Sequence, residues 1–205
     1  METLAKIIES GLVVKLRPSL NRPIPPFLAA LCSAGICAAE FPIDNPLTVE
    51  ALKIGSKLFP DLILGAGGVL TVSDCRKAIT AGARYITSPG FSPEIARQCR
   101  EHEIVYLPAC MTPSELLAVT QAELSSAFLF APHVWGSPQL IDALISAFPK
   151  LTFLASDIPV SAVQSIRTLP KLAAVSLCGL ENSTPEALVS QCYQLRQAID
   201  LTDAS

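Results

Sequence analysis

Eight short apolar runs, each followed by an amphipathic stretch, recur along the whole chain, and this alternation limits the fold more than any other feature of the sequence. The runs are "VVKLR" (13–17), "CAAEFPI" (37–43), "LILGAG" (62–67), "YITSP" (85–89), "VYLPA" (105–109), "SAFLFA" (126–131), "TFLAS" (152–156) and "LAAVSLC" (172–178). The stretches between them, about 10 to 15 residues each, open on helix-entry chemistry. These openings are Pro25 with Pro26, Pro46, Ser73, Ser92 with Pro93, Thr112 with Pro113 and Glu115, Ser137 with Pro138, Ser161, and Thr184 with Pro185. Ser or Thr at the cap accepts from an orphan backbone N–H, and Pro at the first helical position gives up no bond. Strand and helix in strict alternation specify βα units on a parallel sheet. Eight such units of about 20 to 25 residues predict an α/β fold, a (β/α)8 TIM barrel, with residues 1–205 as a single domain. A further helix at about residues 2–10 precedes the first strand and is expected to plug the barrel floor. A doubly wound open sheet is the alternative, but no GxGxxG opens the first βα turn.

Composition narrows the partners. Half of the 205 residues are hydrophobic, 16% are charged and the net charge is −3, so there is no basic stripe for nucleic acid or an anionic membrane. A core of useful size needs no staples at this length. The opening "METLAKIIES" fits neither a signal peptide nor an Arg-rich transit peptide, so a cytoplasmic protein is expected. No apolar run reaches the roughly 18 to 20 residues of a membrane span. The seven cysteines include no CxxC, which favours buried thiols over disulfides or a zinc site. Low charge also favours an oligomer whose contacts cover apolar surface.

In a barrel of this kind, chemistry belongs at the C-terminal ends of the strands. Strand period two puts Lys15 and Arg17 on one face, and Ala38, Glu40 and Pro42 on another. A mid-strand carboxylate is costly to bury unless paired, so Glu40 is either matched with Lys15 or Arg17 or kept protonated for a purpose. A buried ion network and a functional site are both compatible with this spacing. "GAGGV" (65–69) and "TSPG" (87–90) allow close backbone approach by a ligand or serve simply as turns. His133, Glu40, Asp44 and Asp157 fall near strand ends, where oxygen and imidazole ligands would hold a divalent ion, but they lack a recognisable metal spacing. Trp135 reads as a hydrophobic lid or a subunit contact. No metal and no cofactor is expected.

"LVVKLRP", "AAEFP", "LILGAGGVLTVSDCRKAITAGARYITSPGFSPEIARQC" and "YLPACMTPSELL" resemble, in order and spacing, the 2-keto-3-deoxy-6-phosphogluconate (KDPG) and 2-keto-4-hydroxyglutarate (KHG) aldolase family. The likeness is strong over residues 13–118 and fades after about 150. It implies a trimeric barrel, hence a homotrimer, that releases pyruvate from a 2-keto-3-deoxy or 2-keto-4-hydroxy acid through a lysine Schiff base. By the same resemblance Glu40 matches the acid/base and Arg17 the arginine near the substrate carboxylate. Gly65, Ala66 and Gly67 match the loop beside the keto acid, and Ser88 with Pro89 matches the following wall.

Several family positions are changed. The Schiff-base lysine falls on Leu129, an alkyl chain that forms no imine. Gly68 replaces a threonine, Ser156 another threonine, and Asp157 with Ile158 a pair of phosphate-binding glycines. Two unit charges about 4 Å apart interact by roughly 1–4 kcal/mol between water and protein-surface dielectrics, so Asp157 favours an unphosphorylated ligand. Among the seven lysines only Lys15 lies in a predicted strand, about 6–7 Å deeper than Arg17. It is the sole amine available as a replacement, with a lowered pKa expected from desolvation beside Arg17, or else it simply neutralises Glu40 in the space left by Leu129. Two functions follow: a carbon–carbon lyase acting on a small 2-keto acid, or a catalytically silent barrel that binds a small carboxylate or serves as a subunit.

Overall fold

The computed structural model describes residues 2–21, 23–135, 137–163, 172–180 and 183–200. Eight strands close into a barrel in sequence order: β1 (Leu12–Lys15), β2 (Ala38–Pro42), β3 (Ile63–Gly67), β4 (Tyr85–Ser88), β5 (Val105–Cys110), β6 (Ser126–Phe130), β7 (Thr152–Pro159) and β8 (Val175–Cys178). Every neighbouring pair is parallel, with β8 returning to β1. This is the (β/α)8 TIM barrel expected from the alternation of elements. Closure leaves no strand edge open, which suits strands as apolar as these.

The helices among the described residues are α1 (Glu2–Ser10), α2 (Ile24–Ser33), α3 (Thr48–Leu58), α4 (Val72–Thr80), α5 (Pro93–Glu101), α6 (Pro113–Gln121), α7 (Pro132–Trp135), α8 (Pro138–Ala147) and α9 (Pro185–Asp200). Ser92, Thr112 and Ser137 cap α5, α6 and α8 as their sequence pattern predicts, and Thr112 with Glu115 forms a full capping box. At α4 the cap is Thr71, not Ser73, because the Thr71 hydroxyl accepts from the Asp74 N–H. Ser161 lies in a short 3-10 turn, Val160–Ala162, and the helix expected to follow it falls on 164–171, outside the described residues. None of the described helices is long and apolar enough to cross a membrane.

Two apolar layers hold the barrel. The inner one takes residues from the lumen faces of the first seven strands, Val13, Ala38, Ile63, Tyr85, Leu107, Phe128 and Leu154, with Ala174 just ahead of β8. Ile7 and Leu4 of α1 pack into this layer from the N-terminal end, so the first helix closes the floor. Outward-facing residues of the strands pack against the helices, among them Val14, Phe41, Leu64, Ile86, Ala127 and Leu129. Each fully buried Leu, Ile or Phe contributes about 1.5–3 kcal/mol relative to exposure, so both layers fix the alternation firmly. That alternation, in turn, decides which side chains reach the lumen.

Candidate active site

Strand β1 ends at Lys15, whose register partner on β2 is Glu40, and both side chains point into the C-terminal half of the lumen. Glu40 is almost fully buried, at 2% exposure. Its position depends on two glycines of β3. A Cβ on Gly67 would stand 2.1 Å from Glu40 Oε1, and one on Gly65 would stand 2.2 Å from the Tyr85 ring. Tyr85 fills the barrel centre and donates from its hydroxyl to the Ala39 carbonyl at 3.0 Å, fixing the residue before Glu40. Among the described residues no side chain or backbone group makes a regular hydrogen bond to Glu40 Oε2, although Thr87 stands beside the carboxyl.

The third member is Asp157. Its backbone is left-handed, φ 57°, within an irregularity of β7 between Ala155 and Ile158. A left-handed non-glycine residue costs about 1–2 kcal/mol, and the bulge changes where successive side chains point. Here Ser156 and Asp157 both line the cavity, which regular alternation would forbid. Lys15 Nζ donates to Asp157 Oδ1 at 2.7 Å and lies 3.4 Å from Glu40 Oε1. The shorter contact has charge-assisted hydrogen-bond length, and the longer one is the weaker of the two.

The protonation of this cluster follows from burial and charge. Burial is the largest influence on Glu40 and pushes its carboxyl up; Lys15 opposes this, Asp157 reinforces it, and the outcome lies above the ordinary carboxylate range. For Lys15, burial is again the largest single influence and pulls the ammonium down, but Glu40 and Asp157 together outweigh it and hold the group above its usual value. The lowered Lys15 pKa expected from an Arg17 neighbour is therefore reversed. Arg17 lies beyond the end of β1, half exposed, and donates to both carboxylate oxygens of Asp44 at 3.0 and 3.2 Å. It pairs with Asp44, not with Glu40.

Two adjoining spaces open above the cluster. The inner one, about 110 Å³, is lined by Lys15, Glu40, Thr87, Ser88, Phe128 and Ser156 among others. It has the volume of about three or four waters. The outer one, about 460 Å³, adds Arg17, Asp44, Leu70 and Cys178. Ser88 and Pro89 line the inner space, and Gly68, left-handed at φ 68°, borders both. Ser156 Oγ is buried without a hydrogen-bond partner.

Not every expected residue reaches this place. Leu129 packs in the outer layer with Cys110, Leu116 and Phe153, so it faces the helices and not the lumen. The side chains that β6 turns to the cavity are Phe128 and Phe130. An aromatic ring therefore stands where an amine of this strand would have to be. Ala66 likewise belongs to the outer layer, and Gly65, Ala66 and Gly67 form strand β3, not a loop. Trp135 donates from Nε1 to the Phe130 carbonyl and packs against the outer layer, which makes it an anchor for α7, not a lid. Among the described residues no three of the His, Cys, Asp and Glu side chains gather into a metal-binding set. Thr87 and Tyr85 were not singled out by spacing, although period two places both on the lumen face of β4.

Comparison with known proteins agrees with this architecture. The family described as KDPG and KHG aldolase matches residues 5–180. A 2-dehydro-3-deoxy-phosphogluconate aldolase of Treponema pallidum (strain Nichols) is 28% identical over 129 residues, 63% of this chain and 61% of that protein. A probable 2-dehydro-3-deoxy-6-phosphogalactonate aldolase of Rhizobium meliloti (strain 1021) is 28% identical over 160 residues, 78% of this chain and 72% of that protein. Among solved structures, a 4-hydroxy-2-oxoglutarate/2-dehydro-3-deoxyphosphogluconate aldolase superposes with TM-score 0.89 at 27% identity, covering 97% of this chain and 99% of the other.

Proposed function

As the chain belongs to the KDPG and KHG aldolase family, we propose that it is a carbon–carbon lyase acting on a small, unphosphorylated 2-keto-4-hydroxy acid, with Lys15 as its amine and Glu40 as its proton carrier. The observation that carries this reading is the placement of Lys15 Nζ. It lies 3.4 Å from Glu40 and faces the inner cavity, while β6 contains no lysine.

The chemistry balances as follows. The neutral Lys15 amine adds to the C2 carbonyl and, after loss of water, forms an imine. Ionised Glu40 takes the proton of the C4 hydroxyl while the C3–C4 bond breaks, the electron pair neutralising the protonated imine to give an enamine and the aldehyde departing. Glu40 returns its proton to C3, and water hydrolyses the imine to pyruvate and the free amine. A carboxyl held above its ordinary range is a stronger proton acceptor than an ordinary one, which suits this transfer. The raised Lys15 value means that neutral amine accumulates only on the alkaline side, so an alkaline optimum is expected. The carboxylate of Asp157 in the cavity wall supports a ligand without a phosphate.

Borohydride reduction in the presence of pyruvate, followed by peptide mapping, tests the assignment. The expected product is one stable adduct, on Lys15. Absence of any adduct across neutral and alkaline pH, or an adduct on another lysine, would overturn it.

A further inference from the structure

We infer that Asp157, presented by the left-handed bulge of β7, is the positioning residue for Lys15, holding Nζ toward the cavity and setting the pH range over which the amine becomes free. The inference rests on the reading of Lys15 as the reacting amine and adds to it the residue that holds that amine in place.

Three observations converge. The Lys15–Asp157 contact, at 2.7 Å, is the shortest polar contact of the cluster. It joins β1 to β7, which are not neighbours: β8 lies between them, so the backbone ladder does not bring the two side chains together. Asp157 reaches the cavity only because the chain adopts φ 57° there and skips register between Ala155 and Ile158. A strained backbone that aims one carboxylate at one ammonium is an arrangement that the rest of the barrel must hold in place.

The charged groups around Nζ are few. Glu40 on β2 faces it at 3.4 Å, and Asp157 on β7 at 2.7 Å. Arg17 and Asp44 border the outer space but are bonded to one another, and β8 contributes the Cys178 thiol there. Glu40 and Asp157 both hold the Lys15 ammonium up, and of the two Asp157 makes the shorter contact, a hydrogen bond at 2.7 Å. Removing its charge while keeping its shape frees the amine at lower pH; removing the side chain also releases Nζ from its place.

The test compares wild type, Asp157→Asn and Asp157→Gly by competitive acylation of Lys15 in the ligand-free protein, from neutral to strongly alkaline pH, with labelled peptides quantified by mass spectrometry. The labelling midpoint should fall in both variants. A one-unit fall corresponds to about tenfold more free amine at a given pH below the midpoint. Pyruvate trapping should follow the midpoint down in Asp157→Asn, and its maximal yield should drop in Asp157→Gly, where Nζ is no longer held. An unmoved midpoint in both variants overturns the inference. A shifted midpoint without pyruvate trapping in any of the three proteins sustains the hold of Asp157 on Lys15 and overturns the imine chemistry instead.

Discussion

Gly67 and Glu40 occupy one space: a single methyl on Gly67 would lie 2.1 Å from Glu40 Oε1 and 2.6 Å from its carboxyl carbon. The glycine at the end of β3 is thus the seat of the carboxylate and not a relic of a turn. Gly67→Ala should displace Glu40 from the cavity without abolishing the barrel. General acid–base catalysis contributes about 10²–10⁴-fold, so kcat should fall by a factor in that range. Unchanged kcat in a folded Gly67→Ala protein would separate Glu40 from the reaction.

Glu40→Gln should affect activity and stability in opposite directions. The carboxyl is raised in the folded protein, so the folded state binds more protons than the unfolded one as pH climbs through and above the ordinary carboxylate range. Stability then falls across that window, up to the raised folded value. A glutamine in the same place has no proton to lose, so thermal unfolding of Glu40→Gln should lack this decline and give a higher Tm than wild type at neutral pH. Activity in the same variant should drop by about 10²-fold or more. Parallel pH–stability curves for the two proteins would contradict the account.

Lys15→Met should destabilise, because it leaves Glu40 and Asp157 in the cavity without their cation. Breaking a fully buried pair costs about 3–5 kcal/mol; a side chain that keeps a quarter of its surface exposed should cost less, about 2 kcal/mol. At this chain length that corresponds to a Tm lower by about 4–8 °C. Lys15 is raised in the folded state, so its contribution is complete below the ordinary ammonium value and fades as pH rises through the raised one. The Tm gap between wild type and Lys15→Met should therefore narrow in strong alkali, as scanning calorimetry would show.

Leu129→Lys and Phe128→Lys should behave as opposites. Leu129 packs against the helices with no exposure, so an ammonium there meets apolar side chains and should cost about 3 kcal/mol or more. Borohydride should trap no pyruvate at position 129. Phe128 faces the inner cavity, and a lysine at that position should be trapped. Trapping at 129 and not at 128 would show that β6 is turned the other way.

The strand–helix alternation, and Lys15 with Glu40 on lumen faces, were legible because period two and buried charge are local properties of sequence. Three features were not. Arg17 reads as a continuation of β1, yet the strand ends at Lys15 and the guanidinium finds Asp44 across a loop. Leu129 was matched to a lumen position, but a slip of one residue turns a strand side chain to the opposite face. Ala131, directly before Pro132, is left-handed at φ 43° without any glycine to announce it. Asp157 stood out as a departure from the family, whereas its partnership with Lys15 depends on a bulge that spacing does not reveal.

The floor of the barrel, sealed by Ile7 and Leu4 and filled above them by Tyr85, makes the chamber a blind one. Among the described residues, whatever reaches Lys15 has no way in through that floor and comes from the C-terminal ends of the strands. If Lys15 is the reacting amine, a ligand cut in two inside such a room would lose the fragment nearer the door first, while the one bound to the amine waits behind it. On the reading of Lys15 as the amine, the plugged floor would impose that order whatever the identity of the acid.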